Sequence, residues 1–242
     1  NNGDGTFTDV THSSGLLSYH PTQTASWADF NLDGFLDLFI GNESNGKWQD
    51  IIAQNRIGDG QAHPSELYLN NGDGTFTEIS KKVGIDTEAF VKAAVWGDIN
   101  NDGLPDLFVS IMGEPNKLYV NKGGTSIEDW SFEEQAAQSG VEKPLFSFPA
   151  WFWDFDNDGQ LDIFVASYSG NIEHLAAYKS NEPAEFERLC LYKNDGKGGF
   201  TEVAEKVGLK DPVLPMGSNF GDINNDGYLD FYLGTGDPGY GS

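Results

Sequence analysis

The chain has 242 residues, 38% hydrophobic and 13% aromatic, which is enough apolar material for one sizeable core. Its formal net charge of −24 argues against a nucleic-acid partner, because phosphate binding needs clustered Lys and Arg. No run of about 18 apolar residues occurs, so we expect no membrane insertion. The single cysteine, Cys190, cannot form an internal disulfide, and a buried, inert thiol is favoured over a reactive one.

The first recurring element runs from a Phe to a Gly, as in "FTEISKKVGI" from Phe76. Its four copies begin at Phe7, Phe76, Phe132 and Phe200, and the Gly lies 8 residues after the Phe in each. Segments such as "EISKKVG" and "EVAEKVG" predict a short helical turn that ends at the Gly. An acidic loop begins 14 residues after that Gly in every copy. Constant spacing across four copies indicates a repeated structural unit.

The second element is the acidic loop itself. It reads "DFNLDGFLD" from Asp29, "DINNDGLPD" from Asp98, "DFDNDGQLD" from Asp154 and "DINNDGYLD" from Asp222. A short apolar run precedes each copy, and a run such as "LDLFIG" follows it, so each loop is predicted to connect two β-strands.

The third element starts with Leu-Tyr, as in "LYLNNGDGTF" from Leu67, with further copies from Leu118 and Leu191. Apolar runs on both sides of an Asn/Gly/Asp cluster predict a β-hairpin, because Gly supplies the positive φ of a tight turn. The connection from the acidic loop to Leu-Tyr varies in length, and we interpret residues 42–66 and 168–190 as insertions. In repeat proteins, insertions fall on one face, which is often the binding face.

Four short strands in each repeated unit predict an all-β fold, a β-propeller of about four blades in one domain over residues 1–242. The approximate repeat units are 1–66, 67–117, 118–190 and 191–242. A sandwich of unrelated strands is the alternative, but it does not explain the constant spacings.

The acidic loops have the ligand pattern of a calcium site. Ca²⁺ takes six to eight oxygen ligands, and positions 1, 3, 5 and 9 with the carbonyl of position 7 supply them. The candidate metal ligands are Asp29, Asn31, Asp33, Phe35 and Asp37; Asp98, Asn100, Asp102, Leu104 and Asp106; Asp154, Asp156, Asp158, Gln160 and Asp162; and Asp222, Asn224, Asp226, Tyr228 and Asp230. We therefore expect about four Ca²⁺ ions, one in each loop.

Three other interpretations of the loops are less favoured. An EF-hand needs a bidentate Glu at position 12, where this chain has the apolar residues Ile40, Val109, Val165 and Leu233. A plain Asx-rich turn accounts poorly for four copies with every ligand position filled. Mg²⁺ is less suited than Ca²⁺ because it prefers water-rich octahedral sites.

The loop together with "LDLFIG" and "LYLNNGDGTFTEI" resembles the FG-GAP/VCBS repeat, which also builds the integrin α propeller. The stretches "HPSELYLNNGDGTFTEIS" and "LGTGDPGY" look most like bacterial propellers related to the cartilage acidic protein group. The resemblance covers essentially the whole chain. It implies a propeller, usually seven-bladed, with calcium in its blade loops, on secreted or cell-surface proteins. We expect this chain to form part of such a larger propeller, with a closed four-bladed ring as the alternative.

The function that we expect is an extracellular interaction or adhesion module without catalysis, which binds a protein or a glycan through loops on one propeller face. Aromatic and histidine side chains lie in or near the insertions and are candidates for that contact, although such aromatics more often pack against their own blade: Trp48, His63, Trp130, Tyr168, His174 and Tyr178. The alternatives are self-association in an extracellular filament or surface layer, and a polysaccharide-degrading enzyme. No nucleophile elbow, zinc motif or phosphate loop supports the enzyme.

Overall fold

The structure is a computed structural model that describes residues 1–43, 62–169, 172–180, 182–183 and 186–235. Within these ranges the chain forms three four-stranded antiparallel sheets and one two-stranded sheet. Sheet 1 contains β1 Thr22–Ala28, β2 Asp37–Asn42, β3 Glu66–Asn70 and β4 Phe76–Glu78. Sheet 2 contains β5 Val91–Gly97, β6 Asp106–Ile111, β7 Lys117–Asn121 and β8 Phe132–Glu134. Sheet 3 contains β9 Ser147–Trp153, β10 Asp162–Ser167, β11 Cys190–Asn194 and β12 Phe200–Glu202, and sheet 4 contains β13 Pro215–Gly221 and β14 Asp230–Thr235.

Short helices occupy the connections between sheets and one of the insertions. They are α1 Thr11–Ser14, α2 Ser80–Val83, α3 Ala136–Ser139 and α4 Ile172–Lys179. The first three end at a glycine in the left-handed conformation, which confirms the helical turn predicted from "EISKKVG". The matching segment "EVAEKVG" forms a turn rather than a helix. None of the described helices has the length and apolarity required to cross a lipid bilayer.

In each sheet the strands lie side by side in the order in which they occur along the chain, and neighbouring strands are antiparallel. In sheet 1, Ala28 pairs with Asp37, Leu38 with Tyr68, and Tyr68 with Glu78. Sheets 2 and 3 repeat this register. The sequence units, which were counted from Leu-Tyr, therefore start at the third strand of one sheet and end at the second strand of the next.

The antiparallel order divides the molecule into two ends. The acidic loops and the Gly-containing hairpin turns lie at one end, here called the loop end: residues 29–36, 71–75, 98–105, 122–131, 154–161, 195–199 and 222–229. The connections between second and third strands lie at the opposite end, here called the insertion end. They include α4 and the described residues of the predicted insertions 42–66 and 168–190. Residues 44–61 of the first insertion fall outside the described ranges.

Consecutive sheets pack face to face through their first strands, β1 on β5, β5 on β9 and β9 on β13. Side chains from facing sheets form continuous apolar layers; Phe30 and Phe39 of sheet 1, for example, share a buried cluster with Val91 and Leu107 of sheet 2. At about 25 cal/mol per Å² of buried apolar surface, these layers supply the main stabilising term. This stacking of small antiparallel sheets confirms the predicted propeller blades. In the described part of the chain, extensive packing joins consecutive sheets only, and no closed four-bladed ring is seen.

Candidate metal-binding loops

The first aspartate of each acidic loop ties the loop into a tight coil. Asp29 accepts backbone N–H bonds from Asp33 at 3.0 Å and from Gly34 at 2.8 Å. Asp98, Asp154 and Asp222 accept the same two bonds in their own loops. These bonds fold the chain back into the same tight coil in all four loops, and a cation-binding loop of this length also coils tightly.

Positions 3 and 5 contact each other in three of the loops. Asn31 donates from Nδ2 to Asp33 Oδ2 at 2.9 Å, and the corresponding bond is also 2.9 Å in the second and fourth loops. The other oxygen of the position-5 carboxylate accepts the backbone N–H of position 7, as from Phe35 to Asp33 at 2.9 Å. The Asn amide oxygen accepts the backbone N–H of position 5, at 3.3 Å from Asp33 N to Asn31 Oδ1. Amide and carboxylate oxygens are the ligand types that a hard cation such as Ca²⁺ prefers.

The aspartate at position 9 links its loop to the neighbouring strand. Asp106 is fully buried and accepts backbone N–H bonds from Ile99 at 3.0 Å and from Asn121 in β7 at 2.8 Å. Asp37 and Asp162 make the same two kinds of bond. Asp230 accepts the loop bond from Ile223 at 3.1 Å.

Burial is the main cause that raises the pKa of Asp37 and Asp106 to about 7 and that of Asp162 to about 6. Repulsion from nearby aspartates of the same loop adds to the effect, and the backbone N–H bonds oppose it. A cation held in the loop would favour the charged carboxylates and offset this cost.

Position 7 was predicted to contribute its carbonyl oxygen, and its side chain packs on the hairpin turn of the same sheet. A Cβ added to Gly72 would lie 2.9 Å from the ring of Phe35, and one added to Gly123 would lie 3.2 Å from Leu104. Gln160 contacts Gly196 in the same way in sheet 3. The hairpin turns therefore support the loops from outside, and the carbonyl ligands of Phe35, Leu104, Gln160 and Tyr228 stay predictions.

The third loop has the most converged carboxylates. One oxygen from each of Asp154, Asp156 and Asp162 lies within 4.8 Å of the others, and among the described residues this is the one such group of three. Asp156 Oδ1 is buried and has no hydrogen-bond partner. An orphaned carboxylate oxygen facing two further carboxylates fits a divalent cation such as Ca²⁺. Asp158, also a predicted ligand, stands outside this group.

Sequence reasoning missed Lys193 as part of the third loop. Its ammonium group contacts Asp156 Oδ2 and lies 3.0 Å from Asp158 Oδ2. The signal was present but subtle: Lys193 replaces an apolar residue of the Leu-Tyr strand in the same repeat whose loop has Asp156 where the others have Asn.

The aromatic and histidine candidates of the insertion segments have different environments. Trp130 packs on the core of sheets 1 and 2, and Tyr168 is buried with Phe90 and Met112. Tyr178 donates a 3.1 Å hydrogen bond to Asp211, and His63 Nδ1 lies 2.9 Å from His20 Nδ1. His174 belongs to α4, and Trp48 lies outside the described residues.

The sheets and loops together define a propeller-like protein built from repeated four-stranded units, and comparison with known proteins agrees with this class. The family profile described as FG-GAP-like repeat matches residues 45–109 and 154–233, which together make up more than half of the chain. This chain therefore belongs to the FG-GAP-like repeat family.

Curated relatives share lower identity. The chain is 26% identical over 131 residues to cartilage acidic protein 1 of Xenopus tropicalis and 29% identical over 119 residues to that of Homo sapiens. These matches cover 52% and 48% of this chain but only 18% and 16% of the relatives, so the chain spans less than a fifth of their length.

A solved structure is also similar. Its description reads "specific recognition of non-reducing terminal N-acetylglucosamine by an Agrocybe aegerita" lectin. The alignment covers 96% of this chain and 66% of that one, with 16% identity and a TM-score of 0.35.

Proposed function

We propose that this chain is a calcium-stabilised extracellular interaction module, which binds a protein or a glycan and has no catalysis of its own. The observation that carries the proposal is the division between the two ends of the molecule. At the loop end the same backbone coil recurs in all four acidic loops, whereas at the insertion end the connections of sheets 2 and 3 differ in length and content. The end that repeats provides the structural scaffold, and the end that varies provides the surface that binds a specific partner.

The calcium part of the proposal rests on the loops. Four loops share the same coiled backbone, and each contains Asp and Asn side chains whose oxygens are of the type that Ca²⁺ prefers. Thirteen of the 38 acidic residues lie in these four loops. One Ca²⁺ in each loop would neutralise this clustered charge and stabilise the folded state that binds it.

The binding part rests on the insertion end. In sheet 3 the connection between Ser167 and Cys190 contains α4, and Lys179 of this helix lies 3.3 Å from Asp211. In sheet 2 the same connection consists of only residues 112–116. The longer connection therefore adds α4 to the blade, whereas its two ends belong to the packed structure: Tyr168 is buried, and Glu187 accepts the backbone N–H of Leu145 at 2.7 Å.

Absence of catalysis is proposed from the same loops. The clustered aspartates were the natural candidates for a carboxylate pair in a glycoside hydrolase. In the structure they accept backbone N–H bonds that order the loop, as Asp98 does from Asp102 and Gly103. Such bonds suit fixed metal ligands better than groups that must gain and lose protons.

The test is a binding screen of the purified chain against a glycan array and a panel of extracellular matrix proteins, with calcium and with chelator. A loop-swap variant, in which residues 168–189 are replaced by residues 112–116, tests the insertion end. We expect calcium-dependent binding that the swap abolishes, while calcium-dependent melting is kept. Binding that survives the swap would refute the assignment of this surface. Release of reducing sugar from polysaccharides would refute the absence of catalysis.

Self-association is a second candidate, because the outer sheets expose apolar side chains. Trp27 on sheet 1 and Met216 and Tyr232 on sheet 4 are each more than half exposed. Exposed apolar side chains on the outer sheets of two copies favour association between those copies. Light scattering over a range of concentrations tests this: a constant monomer mass would exclude it, and Trp27→Arg should lower any assembled mass.

A further inference from the structure

The third loop differs from the other three in one charged pair. At position 3 it has Asp156, where the others have Asn31, Asn100 and Asn224. In the third strand of the same sheet, Lys193 lies directly before the Asn that recurs at this place in the repeats. The corresponding residues are Leu69 in sheet 1 and Val120 in sheet 2, and all three pair with the fourth strand in the same register: Leu69 with Thr77, Val120 with Glu133, and Lys193 with Thr201.

The two changes compensate each other in hydrogen bonding. In the other loops the Asn amide donates to Oδ2 of the position-5 aspartate at 2.9 Å. Asp156 has no N–H to donate, and Lys193 Nζ takes over this role at 3.0 Å from Asp158 Oδ2. The same ammonium group contacts Asp156 Oδ2, so it bridges both carboxylates.

Asp156 and Lys193 also compensate each other in charge. Four aspartates give the third loop a charge of −4, whereas each of the others has −3. The ammonium of Lys193 returns the third site to −3. Lys193 is about one third exposed, so its flexible side chain has a path to solvent if it leaves the loop.

We propose that Lys193 is the residue that sets the cation affinity of the third loop: it is a built-in counter-ion that holds Asp156 and Asp158 in the metal-free protein and opposes the entry of a divalent cation. This inference rests on the proposed function of the loops as calcium sites. Asp156 Oδ1 remains buried and unpartnered beside Asp154 and Asp162, so the cation would enter next to the ammonium. Two cations so close repel unless the lysine moves away.

Removal of the positive charge should therefore raise the calcium affinity of this loop. We expect Lys193→Leu, which copies Leu69 of sheet 1, to tighten one class of sites by about tenfold, because the ammonium opposes a divalent cation but solvent screens its partly exposed charge. The same variant should melt at a lower temperature in chelator, because four carboxylates are left without a counter-charge. The double variant Lys193→Leu/Asp156→Asn should restore the metal-free melting temperature, since it recreates the first loop.

The experiment is calorimetric titration of the chelator-treated chain with CaCl₂, paired with thermal melts in chelator. Lys193→Gln serves as a second variant, because it keeps an N–H donor and removes only the charge; it should also tighten the site if Lys193→Leu folds poorly. As a matched control, Lys193→Leu in an Asp154→Asn background should change the titration much less, since the third loop is then disabled.

The outcomes separate the two proposals. Tighter binding at one class of sites, with the other sites unchanged, supports the role of Lys193. Calcium binding that is equal or weaker in both Lys193 variants overturns it and leaves the proposed function intact. Absence of calcium binding in the unmodified chain overturns both.

Discussion

Asn121 donates a 2.9 Å hydrogen bond from Nδ2 to the carbonyl oxygen of Phe30, although 91 positions separate the two residues. Phe30 is the second residue of the first acidic loop, and Asn121 ends the third strand of sheet 2. Asn194 repeats the contact one sheet further on, with a 2.7 Å bond to the carbonyl oxygen of Ile99. In sheets 2 and 3, the Asn at the end of the Leu-Tyr strand therefore fastens the sheet to the acidic loop of the sheet before it.

We predict that Asn121→Ala lowers the free energy of unfolding by about 2–4 kcal/mol. Asn121 is almost fully buried, and its Oδ1 also accepts the indole N–H of Trp130 at 2.8 Å. The substitution leaves that N–H and the Phe30 carbonyl without their partner. The measurement is denaturant unfolding followed by tryptophan fluorescence.

Asn70 is the matched control. It has the same place in sheet 1, but its Nδ2 bonds to Leu36 of its own loop in an exposed setting. Asn70→Ala should cost about 1 kcal/mol or less. Equal losses for the two variants would show that the contact between sheets contributes little.

Calcium removal should lower the melting temperature. At a calcium concentration 100 times its dissociation constant, each site adds about 2.7 kcal/mol to stability, and each kcal/mol moves the midpoint by about 2–4 °C in a chain of this size. We therefore expect a drop of at least about 5 °C in chelator, measured by calorimetry. Mg²⁺ at the same ionic strength is the control and should restore less of the loss. An unchanged midpoint would contradict the assignment of the loops.

We predict that the backbone at Leu32 is strained and that a substitution there raises the stability of the chain. It occupies position 4 of the first loop with φ 58°, where the other loops have Asn101, Asn157 and Asn225 at similar angles. The left-handed region costs about 1–2 kcal/mol for an ordinary side chain, and Asn tolerates it better. Leu32→Asn should thus stabilise the chain by about 1 kcal/mol.

An Asn at position 32 should also gain a hydrogen bond to the next sheet. Asn157 Nδ2 donates to the carbonyl oxygen of Gly227 in the following loop at 3.0 Å, and Asn101 Nδ2 donates to Gln160 Oε1 at 2.9 Å. Leu32 has no group able to make this bond. Leu36→Asn, at another exposed leucine of the same loop, is the control and should give no gain. If both variants behave alike in denaturant unfolding, strain at Leu32 is not the cause.

Cys190 is predicted to be unreactive in the folded chain. It is buried, and burial raises the pKa of its thiol to about 12, so almost no thiolate exists at pH 8. We expect a thiol reagent such as Ellman's reagent to react at least about 100-fold faster in urea than with the folded protein. The pH dependence has a definite sign: because the folded pKa lies above the unfolded one, stability falls as the pH rises from about 9 towards 12. Fast reaction of the folded protein would contradict this prediction.

Much of the fold was predictable because its signals are local. Four strands per repeat, the Gly-ended helical turns and the hairpins after Leu-Tyr follow from hydrophobic alternation and from glycines with positive φ, such as Gly72 and Gly84. The coil of the acidic loop also depends on contacts within nine residues. The exchange of Asn for Asp156 was visible in the sequence, but its partner Lys193 lies 37 positions away and was not recognised.

The sequence by itself determined the repeat, the oxygen donors in each loop and the short strands on either side, because spacing along the chain controls each of them. Only the tertiary structure decided that Asn121 reaches Phe30, that Lys193 enters the third loop, and that α4 lies at the end opposite the acidic loops. Those relationships depend on the register of antiparallel strands and on the packing of one sheet against the next. Both are set by burial of apolar faces between residues far apart in the chain, which no local pattern records.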